Sequence, residues 1–99
     1  MVAPHNCENM SDIRAEIDAL DRQIIALLGQ RFEYVKAAAP FKSSAKDVRA
    51  QERFDTMLQQ RRIWAETEGL EADVIEKMYR DLVTYFIEAE LQHWRSELS

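Results

Sequence analysis

The sequence predicts an all-α fold over one domain, residues 1–99, from three observations. Glycine and proline, which interrupt helices, number only two each in the chain. Ala, Leu, Glu, Gln, Arg and Lys, which favour helices, recur along its whole length. Apolar residues return every three or four positions over long stretches, which is the period of an amphipathic helix. Because a chain of this length buries a modest fraction of its surface alone, we also expect it to associate.

The first predicted helix covers roughly residues 12–39. Ser11 is its expected N-cap, Asp12 lies in its first turn, and no breaker follows before Pro40. Its apolar stripe contains Ile13, Ile17, Leu20, Ile24, Leu27, Leu28, Phe32 and Val35. At ~1.5 Å per residue the helix is about 42 Å long, more than a compact bundle of this size needs. We therefore expect it to protrude and to pack against something else.

Two further helices are predicted after a break at Pro40, which lacks an amide hydrogen and clashes with the preceding turn. A polar, mobile loop is expected over about residues 40–48. The second helix follows over about residues 49–67, with Gly69 as the residue just past its end. The third helix is expected over about residues 72–97.

Charge and cysteine content exclude several classes of function. A net charge of −5 argues against a nucleic-acid partner, which requires a basic surface. Cys7 is the single cysteine, and His5 and His93 stand apart, so no zinc or other metal site is expected. No stretch approaches the ~20 apolar residues of a membrane span, and no leader segment is apparent. We therefore expect a cytoplasmic protein.

Cations on an apolar helix face are the strongest pointer to a binding site. Arg14, Arg31 and Lys42 all lie on or beside the stripe of the first helix. A buried guanidinium normally finds an anion, from the protein or from a ligand. Because Arg14 and Arg31 are separated by about 25 Å on a straight helix, they cannot hold one small ligand together. A second copy packed antiparallel would bring Arg14 of one chain toward the far half of the other, giving a shared site.

The type of ligand follows from the number of cations. Lys42 would lie about 16 Å beyond Arg31 if the helix continued unbroken, and Arg53 lies near the start of the second helix. Three or four cations around one pocket in an acidic protein suggest a small dianion, such as a dicarboxylate. Alternatively, these residues are ordinary surface cations whose aliphatic stems lie along the apolar face. Glu90 lies on the apolar stripe of the third helix, either paired with an arginine as structure or as part of the site.

Two sequence segments resemble the all-helical chorismate mutase family. They are DIRAEIDALDRQIIALLGQR, from Asp12 to Arg31, and YVKAAAPFK, from Tyr34 to Lys42. The resemblance continues through ERFDTML, RRIWAETEGL and the terminal ELQHW, and this tail is similar to the isochorismate-pyruvate lyase branch. The resemblance implies three-helix chains that form an intertwined homodimer with two shared active sites. It further implies a cofactor-free, metal-free pericyclic reaction that converts isochorismate to salicylate, a siderophore precursor, and pyruvate.

The resemblance also assigns a role to each candidate residue. Arg14 from one subunit and Arg31 from the other would bind the two carboxylates, and Arg53 would assist. Lys42 would reach the enolpyruvyl ether oxygen or a carboxylate. The family commonly has glutamine, a donor to the ether oxygen, where this chain has Glu90. Desolvation should raise the pKa of Glu90, against the pull of nearby arginines, so we expect it to be protonated when it acts.

Two other functions remain open at this point. The first is chorismate mutase activity, as the main reaction or as a side activity, which uses the same site elements. Many mutases have a glutamate where Phe54 follows Arg53 here, and this difference favours the lyase. The second alternative is a non-catalytic helical dimerisation module.

Overall fold

The computed structural model of the chain describes residues 2–98, and most of these residues are helical. The α-helices are α1 (Met10–Ala37), α2 (Ala45–Arg49), α3 (Gln51–Thr67) and α4 (Ala72–Leu98). Short 3-10 turns occur at Pro4–Asn6 and Ala39–Phe41. No strand occurs within the described range, so the all-α prediction is confirmed there. Met1 and Ser99, which belong to the predicted domain, lie outside the described residues.

The beginning of α1 differs from the prediction. The helix starts at Met10, so Ser11 lies inside it and is not the N-cap. Asn9 has that role, because its side-chain oxygen accepts a hydrogen bond from the Asp12 amide at 2.9 Å. The Asp12 carboxylate in turn accepts from the Glu8 amide at 3.0 Å. These two hydrogen bonds satisfy the amides of Asp12 and Glu8, and the first of them makes Asn9 the N-cap.

The chain consists of two compact units, which meet in the sequence between Tyr34 and Val35. The first unit contains the N-terminal segment and most of α1, and no residue of α1 is buried. Much of the predicted apolar stripe is therefore solvent-exposed in the single chain, with Ile17, Ile24 and Leu27 exposing 50%, 52% and 60% of their surface. Apolar spacing of this kind is typical of a helix that packs against a core, yet none of the α1 side chains is buried.

The second unit has its own core. Helices α3 and α4 pack against each other, and α2 and the Ala39–Phe41 turn pack against α4. The buried apolar residues of this unit are Ala39, Val48, Met57, Leu58, Ala65, Ala72, Phe86 and Leu91. The single charged residue among the buried ones in the described part of the chain is Glu90. The core thus surrounds one of the predicted site residues.

Helix α2 lies where the sequence predicted a mobile loop over residues 40–48. Ser44 caps it, with its hydroxyl oxygen accepting from the Asp47 amide at 3.2 Å, and Val48 anchors it in the core. The next helix begins at Gln51 instead of about residue 49, because Ala50 adopts a left-handed conformation with φ of 41° and separates the two helices. The predicted loop is therefore wrong for residues 45–48, which are helical.

The end of α3 agrees with its sequence signal. Gly69 has a φ of 76°, a conformation that glycine adopts without strain. Its amide donates to the Glu66 carbonyl at 3.1 Å, and the Leu70 amide donates to the Ala65 carbonyl at 2.8 Å. These are the two hydrogen bonds of a Schellman end, which confirms the prediction for Gly69. Among the helices described, none is both long and apolar enough to cross a membrane.

Candidate active site

Lys42 is held in place by three hydrogen bonds within the second unit. It follows the 3-10 turn, and its amide donates to the Ala39 carbonyl at 3.1 Å. The indole Nε1 of Trp94 donates to the Lys42 carbonyl at 3.3 Å. The Lys42 ammonium donates to the Asp47 carbonyl at 3.2 Å. Because an ammonium has three donors, this last bond leaves Lys42 able to bind a ligand.

Asp47 organises the segment that carries Lys42. Its carboxylate accepts from both the amide and the hydroxyl of Ser43. These hydrogen bonds lower the pKa of Asp47, with a smaller contribution from the Lys42 ammonium. Asp47 is therefore ionised at neutral pH, and its carboxylate, together with the Ser44 cap, fixes the turn into α2.

Glu90 is a buried carboxyl group on α4, one turn before Trp94. Only 4% of its surface is exposed, and its Oε1 atom accepts no hydrogen bond from the part of the chain that the structure describes. Burial raises the pKa of Glu90, and the positive charge of Lys42 opposes this shift. The direction agrees with the sequence-based expectation, although the opposing cation identified is a lysine instead of an arginine.

An open depression of about 860 Å³ brings together two of the predicted cations, Lys42 and Arg53. The exposed ring of Phe41 and residues of α2 form part of its wall. Glu90 does not line this depression, although it is electrostatically coupled to Lys42. Lys42 thus lines the cationic depression, and its charge also lowers the pKa of the buried carboxyl group.

The other two predicted cations belong to α1, in the first unit. Arg14 is exposed, beside the exposed apolar stripe. Arg31 is half-buried and engages in interactions within the protein. They lie 17 positions apart on one helix, as the sequence requires, so they are far apart within a single chain.

The sequence-based reasoning missed four residues that contribute to this site. The local sequence around Trp94 is that of an ordinary core or interface residue, yet its indole donates a hydrogen bond to the Lys42 carbonyl. The signal for Ser44 and Asp47 was present, because a serine followed by an acidic residue three positions later is typical of a helix start. Arg49 lies off the apolar stripes and has no local signal of a site, yet it lines the same depression as Lys42 and Arg53.

The arrangement of the site suits binding and proton donation. The ionisable side chains in the described residues include no group of three or more His, Cys, Asp or Glu placed to hold a metal ion. Lys42 and Arg53 can bind anionic oxygens, and a protonated Glu90 can donate one hydrogen bond. Lys42 and Arg53 can thus bind an anion in the depression, and a protonated Glu90 could stabilise charge that develops on an oxygen placed beside it.

Comparisons with known proteins place this geometry in context. Residues 13–91 match the family described as chorismate mutase type II. The chain is 39% identical over 95 residues to the isochorismate pyruvate lyase of Pseudomonas aeruginosa, covering 96% of this chain and 94% of that protein. It is also 42% identical over 74 residues to the T-protein of Haemophilus influenzae, covering 74% of this chain and 20% of that protein.

Proposed function

The chain belongs to the chorismate mutase type II family, and on that basis we propose that it is an isochorismate pyruvate lyase. Such an enzyme eliminates pyruvate from isochorismate and leaves salicylate. The observation that carries this proposal is the 39% identity to the Pseudomonas aeruginosa lyase over nearly the full length of both chains. The likeness extends through α4, which contains Glu90 and Trp94.

The reaction needs positioning and charge stabilisation from the protein. In the proposed step, the ether carbon–oxygen bond breaks while a ring hydrogen moves to the departing enolpyruvyl group in a cyclic transition state. Negative charge develops on the ether oxygen as its bond lengthens, so a hydrogen-bond donor or cation at that atom lowers the barrier. The protein also lowers the barrier by holding the flexible enolpyruvyl arm over the ring.

Glu90 and Lys42 are the residues that we propose act at the ether oxygen. A protonated Glu90 would donate a hydrogen bond there, and its burial and raised pKa support this role. Lys42 would bind the ether oxygen or a carboxylate, and its clamped backbone supports a fixed position. Its charge also limits how far the pKa of Glu90 can rise.

We propose that three arginines bind the substrate's carboxylates, as the family resemblance implies. Arg14 of one subunit and Arg31 of the other would each take one carboxylate, and Arg53 would assist. The position of Arg53 beside Lys42 in one depression supports its inclusion. A guanidinium offers two parallel donors to a carboxylate, which makes arginine well suited to this role.

The shared site requires a homodimer, which we propose is intertwined. Its support is the exposed stripe of α1, where Ile24 and Leu27 expose 52% and 60% of their surface. A second apolar surface is present on α4, where Val74 and Met78 expose 57% and 58%. A second copy of this chain supplies matching apolar surfaces, and its antiparallel α1 would carry Arg14 toward the partner's Arg31.

Turnover assays test the function directly. Purified protein is mixed separately with isochorismate and with chorismate, and salicylate is followed by its fluorescence and prephenate by its conversion to phenylpyruvate in acid. We expect salicylate from isochorismate, and slower prephenate formation from chorismate as a side activity consistent with the family. Prephenate formation alone would make chorismate mutase the function. Activity on neither substrate would favour the remaining alternative, a non-catalytic dimerisation module.

A further inference from the structure

The depression that holds Lys42 and Arg53 carries more positive charge than the proposed mechanism uses. Its four cationic side chains are Lys42, Lys46, Arg49 and Arg53, and its two carboxylates are Asp47 and Glu52. Asp47 is engaged by Ser43, so its charge is partly compensated within the protein. In a chain of net charge −5, this local excess of cations attracts an anion.

Arg49 is a cation of this group whose backbone position is defined by the fold and to which the proposed mechanism gives no role. It is the last residue of α2, between the buried Val48 and the left-handed Ala50. The Ala50 amide donates to the Lys46 carbonyl at 2.9 Å, which closes the helix at this point. The backbone of Arg49 is thus held on both sides, and its side chain is exposed on the wall of the depression.

No ion pair or hydrogen bond to another described side chain engages the Arg49 guanidinium, in contrast to Arg62, which pairs with Asp73 and Glu76. A basic residue at the end of a helix also interacts favourably with the helix dipole. That effect is structural, and it acts on folding stability instead of substrate affinity. The two roles can therefore be separated by experiment.

We propose that Arg49 is a further substrate-binding residue, which attracts and binds a carboxylate of the dianionic substrate at the entrance of the site. This inference rests on the proposed function, because it takes the depression beside Lys42 as the route to the reacting groups. The exposed guanidinium contributes mainly to association, and it makes no contact with the breaking bond. Its loss should therefore change KM and leave kcat nearly unchanged.

The test compares Arg49→Ala with wild type at about 0.01 M and about 1 M salt, where the Debye length is about 30 Å and about 3 Å. At low salt we expect KM for isochorismate to rise about 5- to 10-fold and kcat to stay within about 2-fold. At high salt the difference in KM should shrink toward unity. Arg49→Lys, which keeps the charge, should recover most of the affinity, and Arg49→Gln provides a second neutral variant if the alanine variant folds poorly.

Arg22→Ala is the matched control, because it removes the same charge from an exposed position in the first unit, outside this depression. A low-salt KM in both neutral Arg49 variants no higher than that of the control would overturn the inference. So would a fall in kcat at unchanged KM. If the wild type converted neither isochorismate nor chorismate, the proposed function and this inference would fail together. An active wild type with insensitive Arg49 variants would refute this inference alone.

Discussion

At position 90, a carboxyl group is buried in a core of apolar residues, and its protonation state decides what it can do. An ionised Glu90 could only accept hydrogen bonds, and it would repel an anionic substrate. A protonated Glu90 can donate to an ether oxygen. Burial raises its pKa, and Lys42 counteracts that shift without hydrogen-bonding to Oε1. If Glu90 acts at the ether oxygen as proposed, we expect the reaction rate to depend on its protonation and therefore on pH.

The first prediction concerns the pH dependence of the rate. In wild type, kcat/KM for isochorismate should fall as pH rises through the raised pKa of Glu90, because the donating form is lost. Glu90→Gln places a permanent donor at the same position, so its rate should stay level over that interval. Initial rates of salicylate formation across the acidic to neutral range measure both profiles.

Stability provides an independent check on the same residue. Because the pKa of Glu90 is raised on folding, its contribution to stability is complete below the ordinary value of 4.5 and is lost as pH rises through the folded pKa. The free energy of unfolding of wild type relative to Glu90→Gln should therefore decrease with rising pH. Urea titrations at several pH values measure it. Identical pH profiles for both proteins, in rate and in stability, would show that Glu90 does not titrate as proposed.

A second residue-scale prediction concerns Ala50, which has a φ of 41° between α2 and α3. A left-handed conformation costs a residue with a Cβ about 1–2 kcal/mol, and glycine avoids this cost. Glycine also makes the unfolded chain more flexible, which offsets about 0.4–1 kcal/mol of the stabilisation. Ala50→Gly should therefore stabilise the fold by about 0.5 kcal/mol, a rise of about 3 °C in Tm. Thermal unfolding at fixed protein concentration measures the change.

Ala19→Gly serves as the control for that comparison, because Ala19 is an exposed residue in the interior of α1. Glycine costs about 0.5–1 kcal/mol in such a position, so this variant should be less stable than wild type. The two substitutions are chemically identical and should have opposite signs. A lowered Tm in both variants would mean that Ala50 is not strained in solution.

At the scale of secondary structure, the sequence predicts long helices better than short ones. The three long helices have repeated apolar spacing over many turns, so their existence and type follow from periodicity. Helix α2 has only five residues, too few for a periodic signal, and depends on the Ser44 cap and the burial of Val48. The cap has a local sequence signal, but the packing of α2 against α4 does not, so the cap alone is too weak a sign of a helix.

The site shows the same division between local and long-range information. The position of Lys42 after a break at Pro40 can be predicted from the sequence, because proline ends a helix. The hydrogen bond from Trp94 to the Lys42 carbonyl joins residues 52 positions apart. Nothing in the local pattern distinguishes this indole from an ordinary core or interface residue, so the clamp becomes visible only in the folded chain.

The Trp94 clamp leads to a prediction about activity. Trp94→Phe keeps an aromatic ring and removes the donor to the Lys42 carbonyl. A hydrogen bond of this kind contributes about 1 kcal/mol, so if its full contribution serves to place Lys42, kcat/KM should fall about 5-fold. The measurement is steady-state turnover of isochorismate, combined with a thermal melt to confirm that the variant is folded.

Trp64→Phe is the matched control for the clamp. Trp64 is 51% exposed and lies under the Arg61 guanidinium, 4.5 Å from it, on α3. Its ring can be replaced by phenylalanine without removing any contact to Lys42. We expect its kcat/KM to stay within about 2-fold of wild type. Equal losses in both variants would argue that a tryptophan is needed for packing instead of for positioning Lys42.

At the scale of the whole molecule, the sequence predicted the stripe of α1 but could not identify what covers it. Amphipathic spacing reveals that a face is apolar, and it gives no information about the identity of the surface on the other side. The second unit buries a core of apolar residues between its own helices, although Val74 and Met78 on α4 remain exposed, and the α1 stripe is about half exposed. An exposed apolar stripe of this length would make a free monomer prone to aggregation. This supports self-association, which would cover the stripe.

The homodimer proposal predicts that one charge on this stripe dissociates the molecule. Ile24 exposes 52% of its surface, and Ile24→Asp would place two carboxylates in the dimer interface, one from each copy. The lost apolar burial and the cost of burying these charges exceed about 3 kcal/mol, which raises the dissociation constant more than about 100-fold. Analytical ultracentrifugation over a range of concentrations should show a single-chain mass at concentrations where wild type is a dimer.

Activity should disappear with the dimer if Arg14 and Arg31 act from different subunits. Ala26→Asp is the control, because two residues along the helix turn its side chain about 200° away from that of Ile24. It should leave mass and turnover unchanged. A monomeric Ile24→Asp protein with full activity would refute the shared site, and a dimeric one would exclude this stripe as the interface. A single-chain mass together with loss of turnover in Ile24→Asp, and neither change in Ala26→Asp, would show that activity depends on dimerisation through the exposed stripe.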